Sequence, residues 1–177
     1  MIRAGTHRSG ATFLRKPGMS TPLQYLKEAA NLCLDSMASG RGGPFGAIIV
    51  KDDKVVGKSA NRVFEKCDPT AHAEVEAIRD ACSKLGTTQL AGATMYCTGE
   101  PCPMCMAAIY WAQIDAVVFA NTKEESAAVG FDDTKIYAEL ALNWKSRALS
   151  MVHLEEDTAK AAFAEWKRKA EAGELLK

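Results

Sequence analysis

Four residues in two short strings could do chemistry together. His72-Ala73-Glu74 and Pro101-Cys102-Pro103-Met104-Cys105 each open a helical pattern, with 26 residues between Glu74 and Pro101. Cys102 and Cys105 are spaced i, i+3, so both sulfurs project from one side of a first helical turn, where unpaired backbone N–H groups favour thiolates. One imidazole and two thiolates are the borderline-to-soft donors that zinc prefers, and three ligands leave a fourth tetrahedral position for water, as catalytic sites do. Two thiolates cancel the formal charge of the ion, so that water still needs a base. Glu74, about 200° round a regular helix from His72, is placed to carry the proton rather than to act as a paired ligand.

Two blander readings compete. A closed structural zinc site would recruit Cys97 or Cys67 as fourth ligand, but it has no use for a glutamate two residues after the histidine. A thioredoxin-like redox pair accounts for neither His72 nor Glu74.

These strings have to be positioned by a fold. Thr21 reads as an N-cap with Pro22 at the first helical position, followed by apolar residues at Leu23, Leu26, Ala30, Cys33, Leu34 and Met37 and a stop at Gly40. Segments 45–50 and 54–60 flank Asp52-Asp53 as a hairpin, and 61–69 reads as a loop. Thr70 is expected to cap a helix to about Lys84, with Gly86 just beyond it. A strand at 93–97, a helix from about Cys102 to Trp111 and a strand at 116–120 complete the order αββαβαβ. Beyond the turn Gly130-Phe131-Asp132-Asp133, a short helix, a strand near 149–154 and a charged amphipathic helix from about Glu156 to Ala172 are expected. In that last helix Phe163 and Trp166 alternate with alanines as a packing face would. Helices interspersed with strands argue for an α/β fold with one sheet covered on both faces.

Composition narrows the class. The chain of 177 residues is 47% hydrophobic and 25% charged, the balance of an ordinary globular domain, and no apolar run approaches the length of a membrane-spanning helix. Lys plus Arg and Asp plus Glu both number 22, yet Arg3, Arg8, Arg15 and Lys16 fall in the first 18 residues, where no acid stands. Residues 1–18 are therefore read as a basic extension outside the fold, and 19–177 as one mildly acidic domain that includes the C-terminal helix. An acidic domain whose densest basic run is Lys167-Arg168-Lys169 is a poor partner for nucleic acid or for a membrane surface. Six cysteines in a chain of this size do not require disulfides, and with no hydrophobic leader before them they point to a cytoplasmic setting.

H-x-E with P-C-x-x-C is the signature of zinc-dependent nucleobase deaminases. The longer strings Gly42-Gly43-Pro44-Phe45-Gly46-Ala47, Asp68-Pro69-Thr70-Ala71-His72-Ala73-Glu74-Val75, Glu100-Pro101-Cys102-Pro103-Met104-Cys105 and Gly130-Phe131-Asp132-Asp133 resemble the bacterial guanine deaminase branch of the cytidine deaminase superfamily, over roughly residues 22–145. The resemblance implies a three-layer α/β/α sandwich around a five-stranded mixed sheet, a homodimer, and zinc-dependent deamination of a purine base, most directly guanine to xanthine and ammonia. It implies one Zn2+ per subunit on His72, Cys102 and Cys105, with Glu74 as proton shuttle. Asn61, Asp133, Phe45 and the backbone of Ala73 are implied to hold a small-molecule nucleobase. On position alone, Asn61 reads equally as a loop residue, and Asp132 or Asp133 as the cap of a helix starting at Thr134. Thr98 looks more like the tRNA adenosine deaminase pattern, and Gly99 fits neither branch. The alternatives are a deaminase of guanosine, cytosine, isocytosine or another small aminated heterocycle, then of adenosine in tRNA, and outside the enzymes a structural zinc module.

Overall fold

The computed structural model describes residues 20–175, so the basic extension expected at 1–18 lies outside the described residues. The chain divides into two units between Tyr137 and Ala138. The first unit holds α1 (Pro22–Ala38), β1 (Gly46–Lys51), β2 (Lys54–Ala60), α2 (Val63–Lys66), α3 (Ala73–Leu85), β3 (Thr94–Gly99), α4 (Pro103–Trp111), β4 (Ala116–Asn121) and α5 (Lys123–Ala128), and α6 (Thr134–Ala141) runs across the division. The short helices α2 and α5 fall in stretches too brief to show an apolar period.

The sheet has the order β2-β1-β3-β4. β1 pairs antiparallel with both β2 and β3, whereas β3 and β4 run parallel. Asp52 and Asp53 turn the β1–β2 hairpin with φ of 49° and 61°, the left-handed pair that matches strand twist. β1 is buried along both faces, as a central strand between two helical layers must be. Ala47 and Ile49 face one way, with Met95 and Cys97, onto Ala73, Ala77 and Ala81 of α3 and Ile109 of α4. Ile48 and Val50 face the other way, with Tyr96, onto Ala29 of α1. The result is the three-layer α/β/α sandwich with a mixed sheet.

Two close approaches set the layers. A Cβ on Gly46 would lie 2.0 Å from the Ala29 carbonyl oxygen, and one on Gly57 would lie 2.4 Å from that of Ala77 and 2.7 Å from the Ala81 Cβ. The first contact rotates α1 onto Ala29 and Cys33 and leaves Leu23 and Leu34, expected on its inner face, exposed. The second seats α3, which carries His72 and Glu74 at its start, directly on β2. Gly57→Ala is expected to destabilise the protein by about 1–3 kcal/mol or more, read as a lower urea midpoint at unchanged slope. An unaltered midpoint would show that helix and strand have room to part.

The second unit contains a 3-10 turn (Trp144–Ser146) and α7 (Asp157–Glu171), with the Glu156 carboxylate accepting the Ala159 N–H at its start. The strand expected near 149–154 is absent, which makes the sheet four-stranded among the described residues rather than five-stranded. Val152 and Leu154 alternate as a strand would, but a strand also needs a hydrogen-bonded neighbour, and among the described residues no strand pairs with this segment. Phe163 and Trp166 stand exposed on α7.

Candidate metal centre and active site

The site forms where the carboxyl end of β3 meets the start of two helices, the usual location in an α/β sheet. Thr70 does not cap α3. Its N–H and hydroxyl both donate to Asp68 Oδ1, closing a turn that delays the helix until Ala73 and leaves His72 extended at the N-cap. Cys102 occupies the equivalent N-cap of α4, with Pro103 next, and Cys105 lies three residues on. Neither N-cap side chain satisfies its own helix, so both are free to face each other across the gap.

They do. His72 Nδ1 lies 3.7 Å from Cys102 Sγ and 3.5 Å from Cys105 Sγ, and the three ligand atoms fall within 4.8 Å of one another. A tetrahedral ion with Zn–S of about 2.3 Å and Zn–N of about 2.0–2.1 Å would separate nitrogen from sulfur by about 3.6 Å, so the donor set fits zinc in distance as well as in softness. The hydrogen bond with Cys105, helped by His72 against the effect of burial, lowers the Cys102 thiol to about 4. The same hydrogen bond, with burial and the Glu74 carboxylate, raises the Cys105 thiol. One thiolate is thus ready, and a metal would release the proton of the other.

Cys97 and Cys67, the fourth ligands a closed site would need, stand apart. Cys97 is fully buried with its sulfur on the Val118 carbonyl, and Cys67 is exposed with its sulfur on that of Phe64. Glu74 fills the neighbouring place. It is 4% exposed, and its Oε2 lies 3.5 Å from Cys105 Sγ. Burial raises its carboxyl above the ordinary range, which poises it to exchange a proton.

A cavity of about 220 Å3 opens beside these groups, lined among others by Phe45, His72, Glu74, Cys102, Phe131 and Asp133. Asp132 Oδ1 accepts the Thr134 N–H and so serves the start of α6, and both Asp132 and Asp133 line the cavity. Burial and the Cys102 thiolate raise the Asp133 carboxyl. Phe45 meets Phe131 edge-on at 4.9 Å between ring centres. Asn61 and Ala73 are buried and lie outside the cavity lining. Asn61 uses its Oδ1 to accept the N–H groups of Gly43 and Val63, which fixes the loop ahead of Phe45.

The two departures in sequence also find their reasons here. Thr98 accepts the Gly46 N–H and donates to the Pro44 carbonyl, gripping the same loop. A Cβ on Gly99 would lie 3.0 Å from the Phe45 ring, so glycine lets that ring reach the cavity. Sequence reasoning missed Glu100, Lys123, Ser126, Gly130, Phe131, Asp132 and Ile136 as lining residues. Glu100, Gly130, Phe131 and Asp132 lay inside motifs that could have signalled them, whereas Lys123, Ser126 and Ile136 did not.

Residues 19–121 match the family described as the cytidine and deoxycytidylate deaminase zinc-binding region. The chain is 42% identical over 143 residues to the guanine deaminase of Bacillus subtilis, covering 81% of this chain and 92% of that one. The X-ray structure of guanine deaminase from Bacillus subtilis superposes with a TM-score of 0.81 at 40% identity, over 84% of this chain and 95% of that one. The tRNA-specific adenosine deaminase of Aquifex aeolicus is 44% identical over 86 residues, which are 49% of this chain and 57% of that protein.

Proposed function

Since this chain belongs to the family of cytidine and deoxycytidylate deaminases, we propose that it is a zinc-dependent aminohydrolase that converts guanine to xanthine and ammonia. The observation that carries the reading is one small cavity bounded by the His72 and Cys102 ligands, a buried carboxylate at Glu74, an apolar wall at Phe45 and a polar group at Asp133. It is supported by the higher identity to the guanine deaminase of Bacillus subtilis, 42% over 143 residues, than to the tRNA-specific adenosine deaminase of the same organism, 32% over 151 residues.

His72, Cys102 and Cys105 would hold zinc, which when bound would supply the Lewis acidity that lowers the pKa of the attacking water. Glu74 takes one proton from that water and gives it to the ring nitrogen beside the reacting carbon, then takes the proton of the newly bonded hydroxyl and gives it to the departing amine. A C–O bond forms, a C–N bond breaks, and no electron is transferred to a cofactor. In this reading Asp133 and Asn61 hold the polar edge of the base, Phe45 packs on its ring, and the Ala73 backbone completes the cradle. Exclusion of water by the Phe45–Phe131 wall strengthens each of those contacts.

A homodimer in a cytoplasmic setting belongs to the same reading. It is supported by the exposed Trp111, Phe163 and Trp166 and by six cysteines that all remain free thiols. No helix among the described residues is long and apolar enough to cross a membrane.

The test is ammonia release by zinc-loaded protein from guanine, guanosine, adenine, cytosine and isocytosine. Guanine is expected to give a kcat/KM at least about a hundredfold above each of the others, because a site built for a particular set of polar groups leaves them unpaired with the wrong base. A higher value for any other compound would reassign the substrate.

A further inference from the structure

Glu76 is a carboxylate that the proposed chemistry does not use. It lies one turn into α3, its N–H donates to the His72 carbonyl, and its side chain is 5% exposed. An isolated charge so buried would be costly, yet it is fully partnered. Lys66 Nζ sits 2.5 Å from Oε2 and Arg79 Nη1 sits 2.5 Å from Oε1, with Arg62 Nη1 at 3.9 Å. Burial opposes ionisation, but the hydrogen bonds from Lys66 and Arg79 prevail and hold the carboxyl below its usual value.

The partners are not all on one element. Arg79 shares α3 with Glu76, and it reaches Asp68 at 3.7 Å, whereas Arg62 and Lys66 belong to the connection that follows β2. That connection starts at Asn61. Its start is held by the Asn61 N–H on the Phe45 carbonyl and the Ser36 hydroxyl on the Asn61 carbonyl, the Arg62 N–H meets the Ala71 carbonyl and the Glu65 N–H that of Arg41, and Arg62 is braced against Glu65. The end of α2 is held to α3 through Lys66 and Glu76.

We infer that Glu76 is a positioning residue, its buried carboxylate clamping the Asn61-bearing connection against the helix that presents His72 and Glu74. The inference rests on the proposed contact between Asn61 and the base. With the clamp in place, Asn61 and the metal helix form one frame, and substrate meets both without reordering either. Without it, part of the binding energy goes into closing the frame, which raises KM and leaves the proton transfer by Glu74 intact.

A double-mutant cycle on the zinc-loaded full chain tests this. Glu76→Gln keeps the shape and removes the charge, and Lys66→Met removes the partner from the other side, where the side chain is 37% exposed and folding is less at risk. Each is expected to raise KM about tenfold with kcat within about twofold of the parent and zinc content unchanged. The double variant should be no worse than either single one, because both break the same link, and Glu76→Asp should recover part of the KM. Additive KM effects, an unaltered KM, or a fall in kcat together with zinc would each overturn the assignment. Amide hydrogen exchange over residues 62–68 gives a readout that needs no substrate: exchange should quicken in both single variants, and unchanged protection would overturn the clamp. A wild-type chain inactive on guanine would instead count against the proposed function.

Discussion

Glu74→Gln is expected to lower turnover by about 10²–10⁴-fold while zinc stays at one per chain. The two halves of that result have separate causes. Glutamine keeps the volume of a side chain that is 4% exposed, so the packing around α3 survives. The metal donors on either side, His72 Nδ1 and the two sulfurs, are untouched. What is lost is a group able to accept a proton from water and donate it to nitrogen, since an amide can do neither near neutral pH. Full activity in the variant would remove Glu74 from the chemistry. Loss of zinc along with activity would make it a ligand instead.

Cys102→Ser is expected to do the opposite, abolishing activity by abolishing metal binding. A serine hydroxyl does not ionise near neutral pH and is a hard donor where zinc prefers a soft one, and the position cannot be filled by Cys97 or Cys67, which point elsewhere. Zinc content measured after dialysis should fall below roughly a tenth of the wild-type value. The variant should also lose the stabilisation that a bound ion confers, about 4 kcal/mol when free zinc is a thousandfold above its dissociation constant, and chelation should bring the wild type to the same melting temperature. Cys67→Ser, at an exposed sulfur outside the cavity, should match the wild type in both measurements. Retention of zinc and activity in Cys102→Ser would contradict the ligand set.

The candidate metal group was legible from sequence because its spacing is local. A histidine at one helix start and an i, i+3 cysteine pair at another need only two N-termini to converge, and the β-α-β order supplies that convergence. Glu74 was legible for the same reason, two residues from His72. The helix starts were less so: Thr70 looks like a cap, but Asp68 takes both of its donors, a competition between side chains that no propensity encodes. The strand expected at 149–154 shows a different limit. Alternation specifies a face, and pairing requires an edge, which is a property of the rest of the chain.

Roles that depend on approach between distant segments were the hardest to read. Gly99 looked anomalous until the Phe45 ring was seen against it, and Phe131 has no helical or strand period to mark it as the partner of Phe45. Asp132 and Asp133 are indistinguishable as letters and both line the cavity, and Asp132 also spends a carboxylate oxygen on the Thr134 N–H. Glu76 reads in sequence as one more acid in the first turn of a helix, and only its burial among three cations gives it a place in the site.

The central claim, hydrolytic deamination of guanine by water on this site, is tested most directly by mass spectrometry of the product formed from guanine in heavy-oxygen water by the zinc-loaded protein. The account predicts xanthine carrying one heavy oxygen on the carbon that bore the amine, one ammonia per xanthine, and neither product from Glu74→Gln on the same timescale. Unchanged guanine, or xanthine formed equally fast by the variant, would contradict it.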